Sequence, residues 1–275
     1  MRKLPPAFLA SLCVAVWAMQ GCRISRPDSV VADPGDPFVV AHTELPTEVP
    51  CRTYRCERAT ESPALDGTFE DVVWTKAPWT EEFVVVRRRG PVGSVRTRAK
   101  LLWDDSYLYC AVELLEPQVS LEGLPPSRHD VELMVAGDPA AGGYQIELFG
   151  MGTLVDAWFD GNGSLRGAFH KWDAKGLRTS VQRSTDGAAV RWTAGFALPW
   201  STLSPAGHGP RLDQEVGQAP QAGTTWRVDI GRTTWRPLAP DEDASPKPVG
   251  LERAVWQPPA EASEPRGWGV LEFAP

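Results

Sequence analysis

The chain is poor in the residues and motifs on which catalysis usually rests. Its 275 residues hold only four His, at positions 42, 129, 170 and 208, and these are scattered. No Gly-x-Ser-x-Gly elbow, phosphate-cradling glycine loop or His-Glu-x-x-His pair is present. With 35 acidic residues some carboxylate pair can always be drawn, so such a pair alone does not point to glycosidase chemistry. Positive charge is also scarce. Lys and Arg total 28, the formal net charge is −7, and the one basic run is Arg87-Arg88-Arg89. Nucleic acid needs clustered cations to displace its counterions, so it is excluded as a partner. Helical periodicity is nearly absent, and only one long apolar run occurs.

That run, Ala7 to Met19, is interrupted by Ser11 and preceded by Arg2 and Lys3. A basic start and a short apolar core read as an export signal. A bilayer span takes ~20 apolar residues, more than this run supplies. The run leads into Met19-Gln20-Gly21-Cys22. A small residue directly before a Cys resembles a bacterial lipoprotein signal, in which that Cys becomes the lipidated first residue. Residues 1–21 are therefore expected to be a signal peptide. Cys22 is the expected lipid anchor, and the mature protein a membrane-anchored lipoprotein of the cell envelope, periplasmic or cell-surface. Its membrane contact would be the lipid alone. Export permits disulfides. Cys51 and Cys56 are near enough in sequence to clip a loop, and a Cys51–Cys56 disulfide is expected. Cys110, in an apolar run, reads as a buried free thiol.

Residues 22–61 are rich in Pro, Asp, Thr and Val and read as a tether, with an edge strand at 38–41. From Ser62 onward short apolar runs alternate with Gly, Asp, Asn and Pro turns. Strands are expected at 83–87, 97–103, 108–113, 131–135, 144–149, 154–158, 177–183, 189–197, 226–232 and 270–273. Single helical turns are expected within 70–76 and 200–203. Many short strands with regular turns predict an all-β fold, an antiparallel, jelly-roll-like β-sandwich spanning 62–275. The stretches 204–223 and 237–265 are too rich in Pro and Gly for core and are expected to be long loops. Asp160-Gly161-Asn162-Gly163-Ser164 resembles the start of a calcium loop, but Leu165 and Lys171 stand at its sixth and twelfth places. A hairpin turn is the plainer reading. No cofactor is expected, with a structural calcium ion left open.

A series of motifs stands in a fixed order. Leu65-Asp66-Gly67 is followed by Glu70-Asp71 and Trp74, then by Leu102-Trp103-Asp104-Asp105 with Leu108-Tyr109. Asp130-Val131-Glu132-Leu133 leads to Tyr144-Gln145-Ile146-Glu147-Leu148, Gly152-Thr153-Leu154 and Asp156. Then come Phe196-Ala197-Leu198-Pro199-Trp200, Trp226-Arg227-Val228-Asp229 with Arg232, Trp256, and Gly267-Trp268-Gly269-Val270-Leu271-Glu272-Phe273. Over residues 62–275 this order resembles the family 9 carbohydrate-binding modules and their exported bacterial relatives. The resemblance implies a β-sandwich that binds oligo- or polysaccharide without hydrolysing it. It also implies a place in polysaccharide catabolism, since family members are often attached to xylanases.

Strand alternation indicates where a sugar would sit. Val131, Leu133 and Val135 point one way, and Asp130, Glu132 and Met134 the other. Pairing with 144–149 by apolar faces sets Glu132 beside Glu147 on an exposed face. Carboxylates accept hydroxyl hydrogen bonds and aromatic rings cover a pyranose face. The same alternation also arises on the solvent side of any amphipathic sheet. Glu132 matches a sugar-contacting acid of the family, and Arg232 is a further donor. Trp158, Trp172, Trp235 and Trp256 are the expected stacking surfaces. The twelve Trp against four Tyr make this choice necessary. Trp74, Trp103, Trp192, Trp200, Trp226 and Trp268 sit at framework positions and are expected in the core, and Trp79 is a further unassigned ring. The chain departs from the family where two Trp rings would sandwich the sugar: 125–129 and 262–265 contain none. Glu147 stands where a family member has Arg, and Phe149 where it has Asn. Two other readings stay open: a haem b electron-transfer sandwich using Met134 or Met151 with His129 or His170, and an envelope lipoprotein binding a protein partner.

Overall fold

A computed structural model describes residues 50–89, 96–117, 129–160, 165–166, 172–186, 189–203, 217–237, 249–258 and 267–275. The signal peptide, Cys22 and the expected edge strand at 38–41 lie outside the described residues. So do 161–164, within the calcium-like motif.

Thirteen strands carry the fold: β1 (Thr53–Arg58), β2 (Val84–Arg89), β3 (Arg96–Trp103), β4 (Tyr107–Pro117), β5 (His129–Ala136), β6 (Gly142–Phe149), β7 (Leu154–Asp160), β8 (Leu165–Arg166), β9 (Arg178–Asp186), β10 (Ala189–Pro199), β11 (Thr225–Pro237), β12 (Val249–Val255) and β13 (Gly269–Phe273). Single 3₁₀ turns stand at Trp74–Lys76 and Trp200–Thr202, within the two expected helical turns. Strand order is β8-β7-β6-β5-β11-β13-β1-β3-β4-β10-β9, with β12 paired to β11 and β2. The fold is all-β, as expected, but not wholly antiparallel, because β1 runs parallel to both β13 and β3. β1 is therefore where one layer turns into the other.

β1 also moves the start of the domain. It lies inside the expected 22–61 tether, yet Tyr54 and Cys56 are buried and its backbone pairs on both edges. The Pro-rich composition around it concealed a strand of only six residues. The expected Cys51–Cys56 disulfide is overturned for a related reason. Both are free thiols, with Cys56 buried and Cys51 exposed. Residues an odd number apart on extended chain point to opposite faces, so the two sulfurs diverge. Cys110 is a buried free thiol, as expected. The stretch 237–265 likewise contains a strand, β12, followed by buried Trp256 and Gln257.

The core lies between the layers. Val131, Leu133, Val135, Tyr144, Ile146, Leu148, Val228 and Ile230 from one layer meet Ala99, Leu101, Leu108, Val112, Phe196 and Leu198 from the other. Of the six framework Trp, five are buried and Trp226 is half-buried. Their indole N–H groups explain several positions. Trp74 donates to the carbonyl of Ala64, Trp103 to that of Ala274 and Trp200 to that of Asp104, at 2.8–3.0 Å. A buried ring with a satisfied N–H fixes a turn as well as filling volume. Trp200, Trp226 and Phe273 meet edge to face, with centroids 5.4–5.8 Å apart.

On the outer side of the second layer, Lys100 is almost wholly buried. Its ammonium donates to the carbonyls of Phe69 (2.9 Å) and Trp74 (3.2 Å) and lies 4.6 Å from the Trp79 ring centroid. It pins the loop 69–79 to β3, where Phe69 adopts φ +53°.

Candidate functional site: a carboxylate cluster on the β5–β6 face

The layer containing β5 and β6 turns the other side of these strands outward. Here Glu132 and Glu147 are direct cross-strand partners, as the alternation predicted. Asp130 lies two residues before Glu132. One carboxylate oxygen from each of Asp130, Glu132 and Glu147 can be chosen so that all lie within 4.8 Å of one another. Asp229, on β11 opposite Met134, adds a fourth carboxylate nearby.

One guanidinium balances this face. Arg253 on β12 reaches across β11 to grip Glu132 on β5 with both nitrogens: Nη2 donates to Oε2 at 2.8 Å and Nη1 donates to Oε1. β11 permits this because Gly231 stands opposite Glu132 in the register. A Cβ at Gly231 would lie 3.4 Å from Arg253 Nη2, in van der Waals contact with the guanidinium that passes over this glycine. Only 7% of the Glu132 side chain and 20% of the Arg253 side chain remain exposed. Glu132 is therefore not the solvent-facing acid that alternation alone suggested. Glu147 is half-buried and keeps access to solvent.

Burial, together with crowding, moves the protons of three of these acids. Burial, with the Glu132 and Glu147 charges beside it, pushes the Asp130 carboxyl up to about 8, while the Thr233 hydroxyl and Arg253 pull it down. Burial likewise pushes Asp229 up to about 7, against the backbone N–H groups of Gln257 and Ile230 that bond its Oδ1. Glu147 is raised by burial and by Glu132.

The other sequence-predicted residues are placed elsewhere. Arg232 points to the interior side of β11, because it alternates with Gly231 and Thr233. It is fully buried and pairs with Glu252, with Nε donating to Thr97 Oγ1 (2.7 Å) and Nη1 to Thr234 Oγ1 (2.9 Å). It binds the two layers together and meets no solvent. Trp172 (3% exposed) and Trp256 (0%) are core residues. Trp172 donates to the Thr202 carbonyl at 3.0 Å and Trp256 to Glu81 Oε2 at 3.0 Å. Trp158 pairs with Tyr144 on β6 and packs against the core, on the side of the layer opposite to Glu147. None of these three rings can stack on a ligand beside Glu132. The Trp235 side chain lies outside the described residues. Trp79 sits in a cleft of about 540 Å³ on the other layer, where Arg98 and Lys100 already cover its ring.

The haem alternative finds no matched pair among the described residues. His129 and Met134 point to opposite faces of β5; His129 packs on Trp192, with centroids 5.3 Å apart, and Met134 is buried with Trp268. Met151 is exposed at the β6–β7 turn, and His170 lies outside the described residues.

Sequence reasoning missed Asp130, Asp229, Arg253 and Gly231. The parity of Asp130 with Glu132 was readable. Arg253 was hidden because β12 lies in a stretch that reads as loop.

Neither the profiles of known protein families nor the curated proteins match the chain. Solved structures do. A candidate carbohydrate-binding protein from Bacteroides uniformis aligns over 81% of this chain and 99% of its own, at TM-score 0.53 and 13% identity. A family 9 carbohydrate-binding module from Caldicellulosiruptor kristjanssonii, solved with cellotriose, aligns over 81% and 94% at TM-score 0.46 and 17% identity. The structure of such a module with glucose gives TM-score 0.44 and 17% identity. The chain shares the β-sandwich fold of the Bacteroides protein.

The raised carboxyls make stability depend on pH with a definite sign. Asp130 and Asp229 hold protons in the folded protein that they would release when unfolded above their ordinary value of 3.8. The folded state thus binds more protons between 3.8 and about 8, and stability falls as pH rises through that window. Thermal melts are expected to show Tm increasing from pH 8 down to pH 5. Asp130→Asn should flatten that slope; an unchanged slope in the variant would rule Asp130 out as its source.

Proposed function

We propose that the protein is a non-catalytic carbohydrate-binding module whose ligand lies on the β5–β6 face. The observation that carries this reading is the direct opposition of Glu132 and Glu147 on one sheet face. Both stand within an ordered set of motifs that resembles the family 9 modules. The fold supports it, being shared with the candidate carbohydrate-binding protein from Bacteroides uniformis. Glu147 offers its carboxylate to sugar hydroxyls, and Arg253 holds Glu132 in a fixed orientation for the same use. A ligand here is gripped by polar contacts along the face, because Trp158, Trp172 and Trp256 serve the core. Xylan and cellulose oligosaccharides are the first ligands to test, given the family's usual setting in polysaccharide catabolism. Calorimetric titration of the folded protein should give saturable binding to at least one of them, weakened about tenfold or more in Glu147→Gln. Flat titrations across a glycan array from well-folded protein would refute the reading.

We further propose that the chain is exported and held to the envelope through lipid at Cys22, with residues 23–52 as the tether ahead of β1. The Gly21-Cys22 step after the apolar run supports this. Labelled palmitate should enter the wild-type protein and not Cys22→Ala; equal labelling of both would contradict it.

A further inference from the structure

Among the described residues, two buried carboxylate oxygens, one on Asp130 of β5 and one on Asp229 of β11, have no partner. Asp130 is 5% exposed and Asp229 is 0% exposed. Asp130 Oδ1 and Asp229 Oδ2 are sealed from solvent and accept no hydrogen bond among the described residues. A buried acceptor left without a donor costs about 1–3 kcal/mol. Most buried polar side-chain atoms find a partner, so the orphaned oxygen of Asp130, within the carboxylate cluster, points to a group that completes it.

The ligand atoms that Asp130, Glu132 and Glu147 can offer stand within 4.8 Å of one another. Two oxygens on one calcium ion, each at about 2.3–2.6 Å, are at most ~5 Å apart. The trio therefore spans the distance that a single ion of this size bridges. Charge leads the same way. Arg253 is the cation paired with this cluster, and it is committed to Glu132. Both carboxylate oxygens of Glu132 accept from Arg253, yet each keeps a second lone pair. Glu147 is half-buried, so its carboxylate is reached from solvent.

We infer that Asp130, Glu132 and Glu147 form a binding site for a hard, oxygen-ligated divalent cation of calcium size. Arg253 orients Glu132 within it, and the Thr233 hydroxyl supports Asp130. None of its residues belongs to the calcium-like sequence motif at 160–164. It shares Glu132 and Glu147 with the proposed sugar face, but calcium binding is read with no oligosaccharide present, so the two readings can fail separately.

The test is a thermal melt of the whole protein after chelation, with calcium chloride, magnesium chloride or glucosamine hydrochloride added. At about a hundred times the dissociation constant, calcium should raise Tm by roughly 5–10 °C. Magnesium should do less, and glucosamine should do nothing. Terbium luminescence gives a second readout, sensitised by nearby Trp. Asp130→Asn and Glu147→Gln should each weaken calcium binding at least tenfold. Glu147→Gln, at a half-buried position, keeps the test valid if Asp130→Asn alters folding. A Tm unmoved by calcium would overturn the site. So would a calcium response retained in both variants, which would place the ion elsewhere, or a response to glucosamine alone, which would mark sugar or ammonium binding on this face without a divalent ion.

Discussion

The ion pair between Arg253 and Glu132 organises the face on which the functional reading rests. It joins β12 to β5 over the top of β11, crossing at Gly231, which leaves the guanidinium free space. Without that guanidinium, Asp130, Glu132, Glu147 and Asp229 would form an uncompensated cluster of buried and half-buried acids. Removing one partner of such a pair leaves a buried charge alone, which costs about 3–5 kcal/mol. Burial raises both Asp130 and Asp229, and Arg253 lowers each only in part, so one guanidinium faces four carboxyl groups. The face therefore keeps a surplus of carboxylate that a ligand can use.

β12 carries a second pair on its other side, this one with β11. Glu252 and Arg253 are neighbours on β12, so the pleat sends one inward and the other outward. Glu252 meets Arg232 inside the sandwich, where Thr97 of the opposite layer takes part. One pair thus fixes the spacing between layers and the other fixes the acids on the surface. A shift of β12 by a single residue would exchange the two faces, so both ion pairs also specify its register.

Most of the fold was legible in the sequence because strand alternation is strong where one face is buried. The ten strands read from apolar runs all appear, and Glu132 and Glu147 fell opposite each other for that reason. The three missed strands share a cause. β1 and β12 lie in Pro- and Gly-rich surroundings that mimic loop, and β8 has only two residues. The site suffered from the same blindness. Arg232 carries the residue type expected of a ligand contact, but its parity on β11 turns it inward, and Arg253 does the work from a strand the composition concealed. Trp residues were the least informative, because the same side chain serves as core filler and as sugar platform. Trp158, Trp172 and Trp256 are placed by tertiary packing that no local pattern encodes.

The most direct measurement is a double-mutant cycle on Arg253→Met and Glu132→Leu, read by chemical denaturation. If the pair organises the face, each single variant loses stability of the order expected for an orphaned buried charge. The double variant should then lose clearly less than the two single losses combined. Simple additivity of the two losses would contradict the account.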